Sequence, residues 1–316
     1  MGTSNVTFYD ISIGIFWLIL LLVIANSRKR RISNLQIQKY YVPNVLFKLF
    51  FAIAFAVVYL IYYGGGDTTA YWDGATTLNN LFLKSPAMYI DSFFSDPSKE
   101  LITSYFDVDT GYPPGWIFKE PEAWFVCKLA SIVSFVCFKS YFAGTLIFAF
   151  LTAMASWRIF ELILKFNTHK TQVAAWCVLF IPSISFWCTG ISKDTIVFIC
   201  TLNILYYVFD FMVLKNKTSI KKIIILLLCV YLIYQVRSFI LAAIALPLFM
   251  AYGARLTKRY ERNLIAKLFL RSLILFGGVF VFIQFFASNF AESMVNEAQV
   301  VQQDFIHNES YTGKKP

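Results

Sequence analysis

Apolar residues in this chain come in long blocks, rather than at the two-residue spacing of a half-buried strand or the narrow stripe of a surface helix. The blocks fall at 11–26, 45–63, 141–163, 173–190, 195–214, 223–236, 238–254 and 272–287. Most approach the roughly 20 residues that a helix needs to cross about 30 Å of hydrocarbon. The pattern predicts an all-α fold, a polytopic transmembrane helix bundle of about eight spans. A further apolar stretch at 124–138 makes only about 22 Å of helix and carries Lys128. As a crossing it would invert every later segment, so it reads as an outer interfacial or re-entrant helix. The run 223–254 would make about 48 Å of helix, too long for one crossing, and divides into two short spans with Arg237 at their outer turn.

Four regions follow: 1–63, two spans joined by a basic loop; 64–140, a long loop and juxtamembrane helix; 141–287, a six-span bundle; and 288–316, a polar tail. The 64–123 loop is rich in Tyr, Trp and Phe, so it is expected to pack as a small subdomain on the membrane.

Composition agrees with a bilayer solvent. The 316 residues are 58% apolar and 15% charged, against about a quarter charged in soluble domains. The net charge of +10 does not sit on a folded polar domain, so no nucleic-acid partner is expected. It orients the spans instead: 28–48, 158–170, 215–222 and 255–271 hold 19 of the 28 Lys and Arg residues. By the positive-inside rule that side is cytoplasmic, which puts both termini and 64–140 outside. Arg28, the first basic residue, follows the first apolar run, so that run reads as a retained span rather than a signal peptide. The six cysteines lie in apolar segments without a C-x-x-C pair, and the two histidines are His169 and His307. No metal site, zinc site, Ser-His-Asp triad or phosphate loop is indicated, and no cofactor is expected, with a divalent cation left open.

Three clusters could carry chemistry. Gly64-Gly65-Gly66-Asp67 ends the second span and leads into Tyr71, Trp72 and Asp73. Glycines permit a sharp turn there, and a carboxylate at a low-dielectric edge suits a general base or cation ligand. A helix cap at Asp67 is the plainer alternative. Pro182 to Asp194 joins two spans and ends in Lys193-Asp194; a lysine so near hydrocarbon needs a polar cavity, a carboxylate or a phosphate, unless it snorkels to the headgroups. Gln235 and Arg237 sit between two apolar halves, where the Arg fork suits phosphate. An ion pair of Arg237 with Asp67 or Asp194 is the structural alternative. All three clusters map to the outer face.

These residues resemble bacterial polytopic proteins of exopolysaccharide and O-antigen assembly. The resemblance rests on Gly66, Asp67 and Tyr71; on Pro182, Phe186, Trp187, Gly190, Lys193 and Asp194; and on Arg237, within about residues 45–255. It implies a glycan polymerase or C-type glycosyltransferase of the bacterial inner membrane, acting on a polyprenyl-phosphate-linked sugar and a glycan acceptor amid membrane lipid. In that expectation Asp67 and Asp73 are catalytic, and Lys193 and Arg237 hold the donor phosphate. Tyr71, Trp72, Asp194 and Gln235 contact substrate. A lipid-linked glycan or anion transporter, and a structural subunit of a larger complex, are the other two classes.

Overall fold

A computed structural model of the chain describes residues 7–118, 120–166, 170–212 and 219–257, together with 272, 276–278, 280, 299 and 302. His169, His307, Lys215, Lys217 and most of the expected 272–287 span, of the 255–271 basic stretch and of the 288–316 tail lie outside the described residues. The described residues contain helices and no strands. Two compact units divide the chain, 1–237 and 238–316.

Five helical stretches are long and apolar enough to cross a membrane: Phe8–Lys29, Leu35–Tyr62, Tyr141–Phe166, Lys193–Phe211 and Ile220–Leu241. The first is α1 (Phe8–Lys29), which opens on a capping box made by Thr7 and Asp10 and closes on Arg28 and Lys29, both favourable to the helix dipole. The second combines α2 (Leu35–Gln38), α3 (Tyr41–Val57) and a π-helical turn at Val58–Tyr62.

The stretch expected as a polar loop is largely helical: α4 (Asp67–Lys84), α5 (Pro86–Phe94) and α6 (Lys99–Tyr105) precede α7 (Pro121–Val136). Serines cap α5 and α6, which explains how so polar a region orders itself. α4 lies against α7 so closely that a Cβ on Gly74 would stand 2.7 Å from Cys127 Sγ. Lys128 is buried in α7 and donates to the Ser95 carbonyl at 2.8 Å; burial lowers its pKa.

α8 (Tyr141–Phe166) is the central helix. Gly144, Ala149, Thr152, Ala153 and Ser156 are buried along it, and such small residues let neighbouring helices approach closely where lipid supplies no hydrophobic drive. α1, α3 and α9 (Thr171–Leu179) share a core with it, built on Leu21, Val45, Leu49, Phe160 and Leu179. Tyr9 donates to the Phe138 carbonyl and Asn44 to the Ala153 carbonyl, so α1 runs parallel to α8, and α3 antiparallel.

One expected span takes another form, and two others fall in a single helix interrupted at Arg237, where they were expected to divide. The 173–190 run is not one helix: α9 stops at Leu179 and α10 (Pro182–Trp187) begins anew. Pro182 forces Ile181 into an extended conformation, and its missing N–H is harmless at the first helical position. Lys48, counted with the basic loop from sequence, is instead fully buried in α3 and donates to Ser185 Oγ of α10 at 2.6 Å. The 223–254 stretch lies in α12 (Ile220–Thr257), interrupted by Arg237 at φ −156°, ψ 81°. Between α10 and α12 runs α11 (Lys193–Met212), joined to α8 by hydrogen bonds from Arg158 to Asn203 and Tyr207. In the second unit Pro247 lies within α12, and Gly278 abuts the Phe249 ring.

Candidate functional site

At the π-helical end of the second span, Gly64, Gly65 and Gly66 take φ values of 65°, 129° and 147°, a region that L side chains rarely adopt. A Cβ on Gly66 would stand 3.0 Å from the Tyr59 ring. The turn delivers Asp67 as the first residue of α4. Thr69 does the capping that sequence offered to Asp67: its hydroxyl donates to the Gly66 carbonyl at 2.8 Å and accepts from the Gly66 N–H at 3.0 Å. The Asp67 carboxylate has neither hydrogen bond nor ion pair among the described residues.

Asp67 faces a cavity of about 170 Å³ whose wall also includes Tyr59, Tyr71, Glu120, Lys193, Asp194 and Arg237. Lys193 Nζ donates to Glu120 Oε2 at 2.9 Å, and Arg237 Nη1 to Asp194 Oδ1 at 2.9 Å. Their side chains are partly open, with Lys193 18% and Arg237 38% exposed. Three helices start at this cavity: α4 at Asp67, α7 just after Glu120, and α11 at Lys193-Asp194. Each acid therefore sits where a helix dipole favours negative charge, and each helix end adds about +0.5 charge to the field inside. Both cations are engaged by carboxylates, and Asp67 adds a third negative charge to the same wall.

Phe55, Ser192 and Trp187 complete the wall. The Phe55 ring lies against Gly190, leaving no room for a Cβ there. Ser192 accepts from the Thr195 N–H at 3.2 Å and so caps α11, fixing the direction of Lys193. Tyr71 is buried and meets Trp116 edge-on at 5.7 Å. Burial first, and then the Asp67 charge, push its phenol well above the ordinary range, so it keeps its proton.

The structure thus brings together Asp67, Tyr71, Lys193, Asp194 and Arg237, the last two in the ion pair weighed from sequence. It does not bring Trp72, Asp73 or Gln235 to the cavity. Trp72 is buried over Gly144 and donates to the Lys139 carbonyl at 3.1 Å, which makes it a packing residue. Asp73 is exposed on α4, although crowding by the protein raises its carboxyl above the usual range. Gln235 donates to the Tyr231 hydroxyl at 2.9 Å on another side of α12. Sequence reasoning missed Glu120, Tyr59 and Phe55, and gave no role to Thr68 and Ser192 within its clusters. Glu120 had a signal, an acid directly before the proline that opens α7.

Among the described residues no group of three or more His, Cys, Asp or Glu side chains is placed to hold a metal ion. Comparison of the chain with models of known families, with curated proteins and with solved structures finds no match.

Proposed function

We propose that the chain is a sugar transferase or glycan polymerase acting on polyprenyl-phosphate-linked glycans at the outer face of a bacterial inner membrane. The observation that carries this reading is the unpaired Asp67 carboxylate beside Lys193 and Arg237 in one cavity at the end of the bundle. Distribution of charge supports the outward orientation: Arg28, Lys29, Lys165 and Lys222 lie at helix ends opposite to those that form the cavity.

In the proposed reaction, Asp67 takes the proton from the acceptor hydroxyl as its oxygen attacks the anomeric carbon. The bond from that carbon to the donor phosphate oxygen breaks, and its electron pair leaves on the polyprenyl phosphate. Lys193 and Arg237 stabilise that negative charge, having exchanged Glu120 and Asp194 for the phosphate. Tyr71, which holds its proton, donates to a sugar or phosphate oxygen.

The test is incubation of the purified protein with undecaprenyl-linked oligosaccharide, wild type against Asp67→Asn, with products resolved by size. Chain growth in wild type and its loss by about a hundredfold or more in the variant is the expected result. No growth in either sinks the reading.

A second reading, transport of a lipid-linked glycan or anion, has one observation in its favour: the helix break between α9 and α10 inside the bundle, a common feature of transporter binding sites. Movement of the lipid across vesicles without a change in its chemistry would establish it.

A further inference from the structure

A second concavity, about 740 Å³, opens between α3 and α9 on the side of the bundle away from the candidate site. Its α3 wall is Pro43, Leu46, Phe47 and Phe50, one stripe at the i, i+3, i+4, i+7 spacing. From α9 comes Trp176, 60% exposed, and from the residue that caps it Phe180, whose ring stands 5.4 Å from Phe47 and 5.3 Å from Trp176. The groove is apolar throughout except at its mouth, where Lys39 lies over the Tyr40 ring at 5.1 Å.

Two features select one kind of occupant. The rise from Lys39 to Phe50 is about 17 Å, close to half of the roughly 30 Å hydrocarbon thickness, so the groove is one leaflet deep with its cation at headgroup level. The mouth also lies in a basic stretch of the chain. No acidic residue occurs between Asp10 and Asp67, while Arg28, Lys29, Arg30 and Arg31 lie just upstream. Lys39 has no ion pair among the described residues, unlike Lys193, Lys222 or Lys84, each held by a carboxylate.

We propose that this groove holds one anionic phospholipid of the leaflet on the basic side, with its phosphate at Lys39 and an acyl chain along Phe47, Phe50 and Trp176. The proposal is independent of any transferase chemistry.

Trp176 reports on it directly, because bromine on an acyl chain quenches a tryptophan that it touches. The full chain is reconstituted in phosphatidylcholine vesicles containing equal fractions of either brominated phosphatidylglycerol or brominated phosphatidylcholine. The Trp176 component is taken as the difference between wild type and Trp176→Phe. The expected result is a relative binding constant about fivefold higher for the anionic lipid, the effect of one lysine at a charged interface. Lys39→Gln should abolish the preference, and Lys99→Gln, on the distant α6, should leave it intact. Equal quenching by the two lipids overturns the proposal. So does a preference that survives Lys39→Gln, or the absence of a quenchable Trp176 component.

Discussion

Lys48 and Lys193 are both lysines held within the helical unit, yet their surroundings differ in every respect that matters for function. Lys48 is sealed in the middle of the bundle, and its hydrogen-bond partner is the neutral hydroxyl of Ser185. Lys193 stands at a cavity wall, and its partner is a carboxylate that is itself 45% exposed. A sealed amine with a neutral partner can only hold structure, in this case α10 against α3. An accessible amine with an exchangeable anionic partner can trade that partner for an anionic ligand at little cost. The pairing and its exposure, rather than the presence of a lysine, separate scaffold from site.

The largest expected effect lies on the scaffold side. Lys48→Ala removes a long buried side chain and should lower unfolding stability by about 2–5 kcal/mol. Lys48→Met keeps the volume without the charge, and should leave stability unchanged or raised. Denaturant unfolding of the purified protein separates the two, and a Met variant as damaged as the Ala variant would show that the charge itself is needed.

Gly190→Ala comes next, because a Cβ there collides with Phe55 between the two regions. It should cost about 1–3 kcal/mol and drive the Phe55 ring toward the cavity. A variant of wild-type stability would mean that the ring has somewhere else to go.

On the site side, Lys193→Gln and Glu120→Gln should each change stability by less than about 1 kcal/mol, since the pair is partly solvated. The proposed sugar transfer would divide them: a loss of about a hundredfold for Lys193→Gln and near-wild-type turnover for Glu120→Gln. Equal losses would make Glu120 part of the chemistry instead of a displaceable partner.

The smallest effect concerns a half-exposed pair, Lys84 with Asp107. The hydrogen bond from Lys84, followed by that from the Thr110 N–H, holds the Asp107 carboxyl down at about 2, below the ordinary aspartate value near 4. A depressed carboxyl contributes stability above its unfolded pKa and loses it as pH falls through the folded one, so this contribution should fade from about pH 4 to about pH 2. Pepsin cleavage within 98–118 should be faster in Asp107→Asn than in wild type at pH 4, and the difference should vanish at pH 2.

Much of this arrangement is legible in the sequence. Blocks of apolar residues identify the long helices because a bilayer crossing leaves little choice of composition or length. Order and common face were enough to bring Asp67, Lys193, Asp194 and Arg237 together. Tyr71, one helical turn from Asp67, reaches the cavity, whereas Trp72, one residue further, faces α8 instead. Periodicity distinguishes those two once α4 is known to begin at Asp67. The 173–190 run misled because hydropathy ignores backbone geometry, while Pro182 restricts the residue before it whatever the hydropathy. Lys48 was assigned to a loop because a charge is usually taken to end a span, and a hydroxyl 137 residues away in sequence gives no local warning.

The π-helical turn at Val58–Tyr62 carries a last consequence. Such a turn is an α-helix with one residue inserted, so the two ends of the second span run in different rotational frames. Val45, Leu49 and Ala52 keep the frame that meets α8, while Tyr59 and the glycines follow the shifted one. Deleting a single residue within 58–62 would take out the extra residue and restore a plain α-helix, with what lies beyond it in nearly the same orientation. Straightening those residues into an α-helix without removing one would swing everything beyond them by about 100° and carry Asp67 off the wall that it shares with Lys193 and Arg237. Length tolerance in this chain is therefore uneven: the span can spare a residue at its wide turn, and cannot keep that residue while losing the turn.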